Sequence, residues 1–255
     1  MSYSTYCAAE IVMLVLGLMC FFALYFIPAG YGKLIDKKWG FSFNNKTAWT
    51  LMECPTLIVM FYLLCTLDYE HKPVRVLLAS FFILHYIQRT LIFPALLKGK
   101  SKMPITIVLM GMLFNSINSF LIGLWIFYFS PAEMYDRSWL CDPRFIAGAV
   151  LFFVGMIINI SSDSYIRSLR KNGSSKHYYP SRGMYRYITS ANYFGELVEW
   201  LGFAVLTWSS AGFLFVFWTA CNLVPRSDAI YKKYAENFPD EVARYKPKRI
   251  IPFLY

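Results

Sequence analysis

Long apolar runs separated by short polar segments dominate this chain. About 20 consecutive apolar residues in a helix cross the hydrocarbon core of a bilayer. Because backbone groups in lipid must be hydrogen-bonded within their own segment, each such run predicts a membrane-spanning helix. The last run is long enough to turn back on itself at residues 208–212, so the pattern predicts an all-α integral membrane protein with seven transmembrane helices. The runs lie at approximately 9–29, 48–68, 75–97, 104–130, 143–162 and 195–224.

The basic residues predict the orientation of these helices. When the loops are assigned alternately to the two sides, most of the 25 Lys and Arg residues fall on one side. Cytoplasmic loops carry an excess of basic residues, so we expect the N-terminus outside or in the lumen and the C-terminus in the cytosol. The membrane would be the endoplasmic reticulum in a eukaryote and the inner membrane in a bacterium. We expect one membrane-embedded domain over residues 1–255, with the polar segments at about 163–191 and 226–255 sharing the cytosolic side.

Composition excludes several other classes of protein. Hydrophobic residues make up 57% of the chain and charged residues 16%, whereas soluble domains carry about 25% charged residues. The net charge of +10 would suit a nucleic-acid partner, but the basic residues stand where they fix membrane topology, so we expect no nucleic-acid role. The six cysteines contain no Cys-x-x-Cys pair, and the three histidines are scattered. We therefore predict apolar, buried cysteines and no metal site.

Glu53 is a candidate functional residue because an ionisable side chain inside an apolar run is costly. It lies in the second run, immediately before Cys54 and Pro55. We interpret it as a carboxylic acid that stays neutral and donates a hydrogen bond. A carboxyl group at the membrane edge, paired with Lys46, would be compatible with the same pattern.

The third apolar run contains a second polar cluster, His85-Tyr86 followed by Gln88-Arg89. Tyr86 and Arg89 are three residues apart, so they share a helix face. Tyrosine in a transmembrane helix is usually an anchor at the interface. Tyr86 stands near the middle of its run, which favours a functional role.

Two polar stripes flank the longest cytosolic segment. Their members recur mostly at intervals of three or four residues, which places each set on one helix face. Such amides and carboxylates could pair with one another to hold helices together. Arginines combined with amides and carboxylates also suit a ligand that carries phosphates, ribose hydroxyls and an amide, and we favour this interpretation because both stripes border one basic segment. The stripes consist of Asn159, Asp163, Arg167 and Arg170, and of Asn192, Glu196 and Glu199.

Six short motifs occur in a fixed order along the chain. The most specific is Ala191-Asn192-x-x-Gly195-Glu196-x-x-Glu199-Trp200. The others are Trp49-x-x-x-Glu53-x-Pro55, His85-Tyr86-x-x-Arg89-Thr90, Gly155-x-x-x-Asn159-x-x-x-Asp163, Leu169-Arg170-Lys171 and Ile251-Pro252-Phe253. With these motifs the chain resembles the steroid 5-alpha-reductase family over nearly its whole length.

The resemblance implies a seven-helix membrane reductase that takes NADPH from the cytosolic side. Residues 163–191 and 226–255 would form this cofactor-binding side of the protein. It implies reduction of the 4,5 double bond of a 3-oxo-4-ene steroid by hydride transfer to C5, with the 3-oxo group held by Glu53 and Tyr86. The steroid would enter from the lipid bilayer, and no metal would take part. The implied cofactor-binding residues are Arg89, Lys98, Lys100, Asn159, Asp163, Arg167, Arg170, Tyr178, Asn192, Glu196 and Tyr231. The residues expected to line the steroid are Trp49, Glu53, Tyr86, Phe114 and Trp218.

Two other functions are compatible with these residues. A trans-2-enoyl-CoA reductase, or a reductase of another sterol double bond, would belong to the same fold superfamily. A non-catalytic sterol-binding membrane protein would belong to a different class. Transporters often carry internal repeats, and we recognise none in this sequence. The natural steroid, the proton donor to C4 and the oligomeric state are not encoded in any of these motifs.

Overall fold

The computed structural model describes residues 1–27, 40–67, 73–98, 101–169 and 178–255. Most of these residues lie in helices whose bounds follow the apolar runs. The α-helices are α1 (Tyr3–Phe26), α2 (Asn45–Leu67), α3 (Pro73–Ile87), α4 (Phe93–Leu96), α5 (Ile105–Leu124), α6 (Pro143–Ser168), α7 (Ala191–Thr207), α8 (Ser210–Asn237) and α9 (Pro239–Tyr245). Between them lie π-helical turns at Gln88–Ile92 and Trp125–Phe129, 3₁₀ turns at Arg137–Cys141 and Gly183–Arg186, and strands β1 (Ser42–Asn44) and β2 (Lys102–Pro104).

Five of the described helices are long and apolar enough to cross a membrane, which supports a multi-pass membrane protein. They coincide with the first five predicted spans. Helices α7 and α8 coincide with the other two but fall outside this set, and α7 has only 17 residues. The count of seven spans and the orientation therefore stay predictions. The five helices are Tyr3–Phe26, Asn45–Leu67, Pro73–Leu96, Ile105–Phe129 and Pro143–Ser168.

A small antiparallel ribbon of β1 and β2 joins the starts of α2 and α5. Ser42 pairs with Pro104, and Asn44 with Lys102. The apolar pattern did not indicate it, because a three-residue strand is too short to show an alternating pattern. Since α2 and α5 each follow directly from one strand, the ribbon starts both helices at the same level.

The turn between α7 and α8 lies where the last apolar run was predicted to fold back. Trp208 adopts a left-handed conformation with φ of 47°, and Ser209 caps α8 by accepting a hydrogen bond from the Gly212 N–H at 3.0 Å. The last carbonyls of a helix have no partner within it. Here the Tyr135 hydroxyl donates to the carbonyl of Thr207, and the indole N–H of Trp139 donates to that of Leu206 at 3.0 Å. The segment before α6 therefore closes the end of α7.

Helices α6 and α7 pack backbone against backbone through glycines. A Cβ atom on Gly155 would lie 2.2 Å from the backbone nitrogen of Glu199, and one on Gly195 would lie 2.4 Å from that of Asn159. Gly148 and Gly202 approach the backbone of the facing helix equally closely, about two helical turns away. This antiparallel contact brings the two polar stripes of the sequence together.

A π-helical turn interrupts the third span at Gln88–Ile92. Pro94 has no N–H to donate to the Thr90 carbonyl, and the hydroxyl of Thr50 on α2 donates to that carbonyl instead at 3.1 Å. The Phe93 N–H reaches back five residues to the carbonyl of Gln88. Turns of this kind often occur at functional sites, and this one carries the buried side chain of Arg89.

The C-terminal segment pairs with the residues that precede α7. The Lys248 N–H donates to the carbonyl of Tyr187 at 2.7 Å, and the Thr189 N–H donates to that of Lys248 at 2.9 Å. The Ser190 N–H donates to the carbonyl of Arg249 at 3.1 Å. The tail therefore lies against the start of the helix that carries the second polar stripe.

Candidate functional site

Glu53 lies in the interior of the bundle and contacts α5. Its side chain is 7% exposed, and its Oε2 accepts a hydrogen bond from Asn115 Nδ2 at 2.9 Å. Pro55 in the same turn of α2 has no N–H to offer the Leu51 carbonyl, and the Cys54 thiol contacts that carbonyl at 3.5 Å. The alternative pairing with Lys46 is not the one observed, because Lys46 Nζ donates to the carbonyl of Ala95 at 3.2 Å.

Tyr86 is surrounded by aromatic rings on the side of α3 that faces α7. It is 4% exposed, and its ring centroid lies 4.8 Å from that of Phe82 and 5.9 Å from that of Trp200. An ionised carboxylate at Glu53 would be near enough to act on the Tyr86 hydroxyl. The two residues predicted to hold a carbonyl group are therefore both buried in the same part of the bundle interior.

His85 and Glu199 form a buried pair next to Tyr86. His85 Nδ1 is 2.8 Å from Glu199 Oε1, and the two residues are 4% and 1% exposed. The ring of His85 packs 4.3 Å from that of Trp200 and 5.1 Å from that of Tyr86. The pair fixes the position of α3 relative to α7 at the level of Tyr86.

Arg89 joins three helices at the π-helical turn. Its Nη1 lies 3.4 Å from Asp163 Oδ2, and its Nη2 lies 3.6 Å from Glu196 Oε2. The guanidinium carbon is 4.6 Å from the ring centroid of Trp49 and 4.5 Å from that of Phe93. A planar guanidinium suits such stacking and can pair with two carboxylates at once. Trp49, predicted to line the steroid, thus contacts Arg89.

Three members of the two polar stripes form a hydrogen-bonded network between α6 and α7. Asn192 Nδ2 donates to Asp163 Oδ1 at 3.0 Å, and Asn159 Nδ2 donates to the backbone oxygen of Asn192 at 2.9 Å. Burial raises the pKa of Tyr185 well above its ordinary value, so its hydroxyl stays protonated and donates to Asn192 Oδ1 at 3.3 Å. The interpretation that these side chains join helices is therefore confirmed, and a ligand-binding role stays a prediction.

Arg167 has a donor that the described residues leave unused. Its Nη1 is buried and has no hydrogen-bond partner among them. The Arg167 charge acts on Asp163, and its guanidinium lies 6.0 Å from the ring of Phe93. A buried N–H of a cation without a partner is costly. This atom therefore fits an anionic group of a bound ligand.

The remaining predicted cofactor residues are placed differently. Tyr231 lies beneath Arg249, whose guanidinium is 4.7 Å from its ring and pairs with Asp228. Tyr178 is 41% exposed, and Lys98 is also exposed. Lys100 and Arg170 lie outside the described residues.

Phe114 and Trp218, predicted to line the steroid, contact each other between α5 and α8. Their ring centroids are 4.8 Å apart, and Phe114 lies 6.2 Å from Phe215. The indole N–H of Trp218 donates to the carbonyl of Met13 on α1 at 2.6 Å. These rings therefore form an apolar wall, with α1 behind it.

Three residues of the site were assigned no role from the sequence. His85 and Glu199 were noted only as parts of a polar cluster and a stripe. Asn115 stands within an apolar run, and an amide in a transmembrane helix is the signal that could have identified it.

Comparison with known proteins agrees with the motifs. A family model described as 3-oxo-5-alpha-steroid 4-dehydrogenase matches residues 101–255. A steroid 5-alpha-reductase of Gossypium hirsutum is 35% identical over 96% of this chain and 95% of the relative. A 3-oxo-5-alpha-steroid 4-dehydrogenase 1 of Bos taurus is 36% identical over 94% of this chain and 93% of the relative. A steroid 5-alpha-reductase of Arabidopsis thaliana is 37% identical over 91% of this chain and 90% of the relative.

Proposed function

The chain belongs to the steroid 5-alpha-reductase family, and we propose that it reduces the 4,5 double bond of 3-oxo-4-ene steroids with NADPH. The family makes it an oxidoreductase that acts on CH–CH groups in steroid metabolism. The observation that supports the finer proposal is the burial of Glu53 and Tyr86 in the apolar interior of the helix bundle. Two oxygen-bearing donors in an apolar interior suit a ketone oxygen that gains negative charge during a reaction.

Glu53 and Tyr86 would hold the 3-oxo group of the steroid. Addition of hydride at C5 moves electron density onto the 3-oxo oxygen, which becomes an enolate. A Tyr86 hydroxyl and a neutral Glu53 carboxyl each donate a hydrogen bond to that oxygen. In a dry site such donors stabilise the developing charge far more than water does.

The polar network between α6 and α7 would hold the cofactor. NADPH, when bound, would supply the hydride. The partnerless N–H of Arg167 fits a phosphate, and the amides of Asn159 and Asn192 can meet ribose hydroxyls or the carboxamide. Arg89 keeps Asp163 and Glu196 neutralised, so that two carboxylates do not repel an anionic ligand.

The proposed carbonyl site and the proposed cofactor site each lie where their own ligand can reach them. The carbonyl site lies among apolar helices, so a membrane-dissolved steroid can approach between them. The cofactor half lies at the ends of α6 and α7 that adjoin the polar segment, so a charged molecule can approach from water. We therefore infer a site at the membrane interface, on its cytosolic side.

Turnover by the purified protein tests the reaction. In detergent with NADPH, the protein is expected to oxidise NADPH when progesterone or testosterone is added and to form the 5-alpha-reduced 3-oxosteroid. Product identification by mass spectrometry accompanies the loss of NADPH absorbance. Turnover of a trans-2-enoyl-CoA and of no 3-oxo-4-ene steroid would assign the chain to the alternative reductase class. Steroid binding without any turnover would favour the non-catalytic protein.

Replacing Arg89 by Lys is expected to weaken NADPH binding at least about tenfold. A lysine ammonium cannot contact both Asp163 and Glu196 while stacking between two rings, so one carboxylate stays uncompensated beside the cofactor's phosphates. The dissociation constant is measured by tryptophan fluorescence quenching. Arg137→Lys, in the exposed loop before α6, serves as the matched control. An unchanged dissociation constant in Arg89→Lys would contradict this role.

A further inference from the structure

Asn115 makes two contacts from one nitrogen atom that bear on the state of Glu53. Its Nδ2 lies 2.8 Å from the backbone oxygen of Met52 and 2.9 Å from Glu53 Oε2. Asn115 is 5% exposed and Glu53 is 7% exposed, so water competes little for either contact. An amide NH₂ has two hydrogen atoms, and each of these contacts uses one of them.

The carbonyl of Met52 determines which way the amide of Asn115 faces. A carbonyl oxygen only accepts hydrogen bonds. If the amide were turned over, its own oxygen would face that of Met52 and the two would repel. The NH₂ group therefore faces both oxygens, and Glu53 Oε2 is an acceptor in this contact.

We propose that Asn115 is a positioning residue for the reaction, because it fixes which oxygen of Glu53 carries the proton. In a neutral carboxylic acid the carbonyl oxygen accepts a hydrogen bond better than the hydroxyl oxygen does. With Oε2 facing the NH₂ of Asn115, the hydroxyl group stands at Oε1. Oε1–H is then the donor to the 3-oxo group. This inference rests on the proposed function, in which Glu53 donates while it is neutral.

Asn115 is expected to affect the orientation of the Glu53 carboxyl group more than the binding of the steroid. Without Asn115, the carboxyl group of Glu53 can present either its carbonyl oxygen or its hydroxyl to the substrate. A carbonyl oxygen facing the 3-oxo group repels it, and repulsion grows as that oxygen gains charge. The loss therefore falls mainly on the transition state, which lowers kcat more than it raises KM.

A double-mutant cycle with Glu53 tests the proposal. Asn115→Leu is expected to lower kcat at least about tenfold and to change the KM for the steroid by less than about threefold. In a Glu53→Met background, the same substitution is expected to lower kcat further by less than about threefold, because methionine offers no donor and no acceptor for Asn115 to orient. Equal losses in the two backgrounds would overturn the proposal, since a residue that only packs gives additive effects.

Two further variants keep the test decisive. Asn115→Asp preserves the shape of the side chain but replaces the NH₂ by oxygen, so it is expected to lose kcat as Asn115→Leu does, and wild-type kcat in it would refute the proposal. It carries the test if Asn115→Leu fails to fold. Ser116→Ala is the control on α5, because among the described residues the Ser116 hydroxyl bonds only to its own helix, at the Met112 carbonyl. If Glu53→Gln alone leaves kcat unchanged, the proposed role of Glu53 fails; if it lowers kcat and Asn115→Leu does not, only the inference about Asn115 fails.

Discussion

Glu53→Gln and Tyr86→Phe are each expected to lower turnover of a 3-oxo-4-ene steroid at least about tenfold, while NADPH binding survives. Phenylalanine removes the hydroxyl donor of Tyr86 and keeps its ring against Phe82 and Trp200. Glutamine keeps a neutral side chain at position 53 but replaces an O–H donor with a weaker N–H donor. Steady-state kinetics with the steroid and a separate fluorescence titration with NADPH measure the two effects.

Both substitutions are expected to reduce steroid turnover without weakening NADPH binding. Neither side chain belongs to the network between α6 and α7, so the dissociation constant for NADPH is expected to stay within about twofold of wild type. Ser80→Ala is the matched control on α3, because within the part of the chain that the structure describes the exposed Ser80 hydroxyl bonds only to its own helix, at the Val76 carbonyl. Wild-type turnover in both variants would refute the roles assigned to Glu53 and Tyr86. Parallel loss of NADPH binding would show instead that the site had collapsed.

Gly155→Val is expected to prevent the protein from accumulating in a folded state. Even the first carbon of the new side chain would lie 2.2 Å from the backbone nitrogen of Glu199 and 2.6 Å from the carbonyl oxygen of Gly195. Backbone cannot rotate away as a side chain can, so the cost exceeds the roughly 1–3 kcal/mol typical of overpacking. The measurement is the yield of monodisperse protein in detergent together with its thermal unfolding temperature.

A graded series separates this steric effect from a general intolerance of α6 to change. Gly155→Ala places the same first carbon against the backbone without the rest of the side chain, so it is expected to lower the unfolding temperature by more than about 6 °C, since each 1 kcal/mol corresponds to roughly 2–4 °C for a chain of this size. Ala147→Val adds more volume at an exposed position of the same helix and is expected to leave that temperature unchanged. Wild-type stability in Gly155→Val would show that α6 and α7 can separate without loss.

The sequence predicted the helices well because a bilayer imposes a simple requirement on each span. The turn at Trp208 and the pairing of Asn159 and Asp163 with Asn192 follow from local pattern: a break in apolar character, and polar residues repeated on one helix face. The partners of Arg89 could not be predicted from local sequence pattern. Its contacts with Asp163 and Glu196 join the π-helical turn of the third span to two helices distant in sequence, and spacing carries no information about such contacts.

Asn115 and the π-helical turn show a second limit. Asn115 becomes meaningful only when the β-ribbon sets α2 and α5 at the same level, and that ribbon is too short to leave a pattern. The π-helical turn depends on Pro94 together with the hydroxyl of Thr50, which comes from another helix. In both cases the decisive partner lies on a different element.

The glycine contact between α6 and α7 has a consequence for the order in which the protein assembles. These helices are consecutive in the chain, so their contact has a much lower sequence separation than the contact of α1 with α8, and contacts of lower separation need less loop closure. The residues proposed for the cofactor can therefore come together within one helical hairpin as it enters the membrane. The bond from Trp218 to the carbonyl of Met13 joins α8 to α1 instead, across 205 positions of the chain. On this basis the apolar wall with α1 behind it closes only after α8 has been synthesised, around proposed cofactor residues that are already in contact.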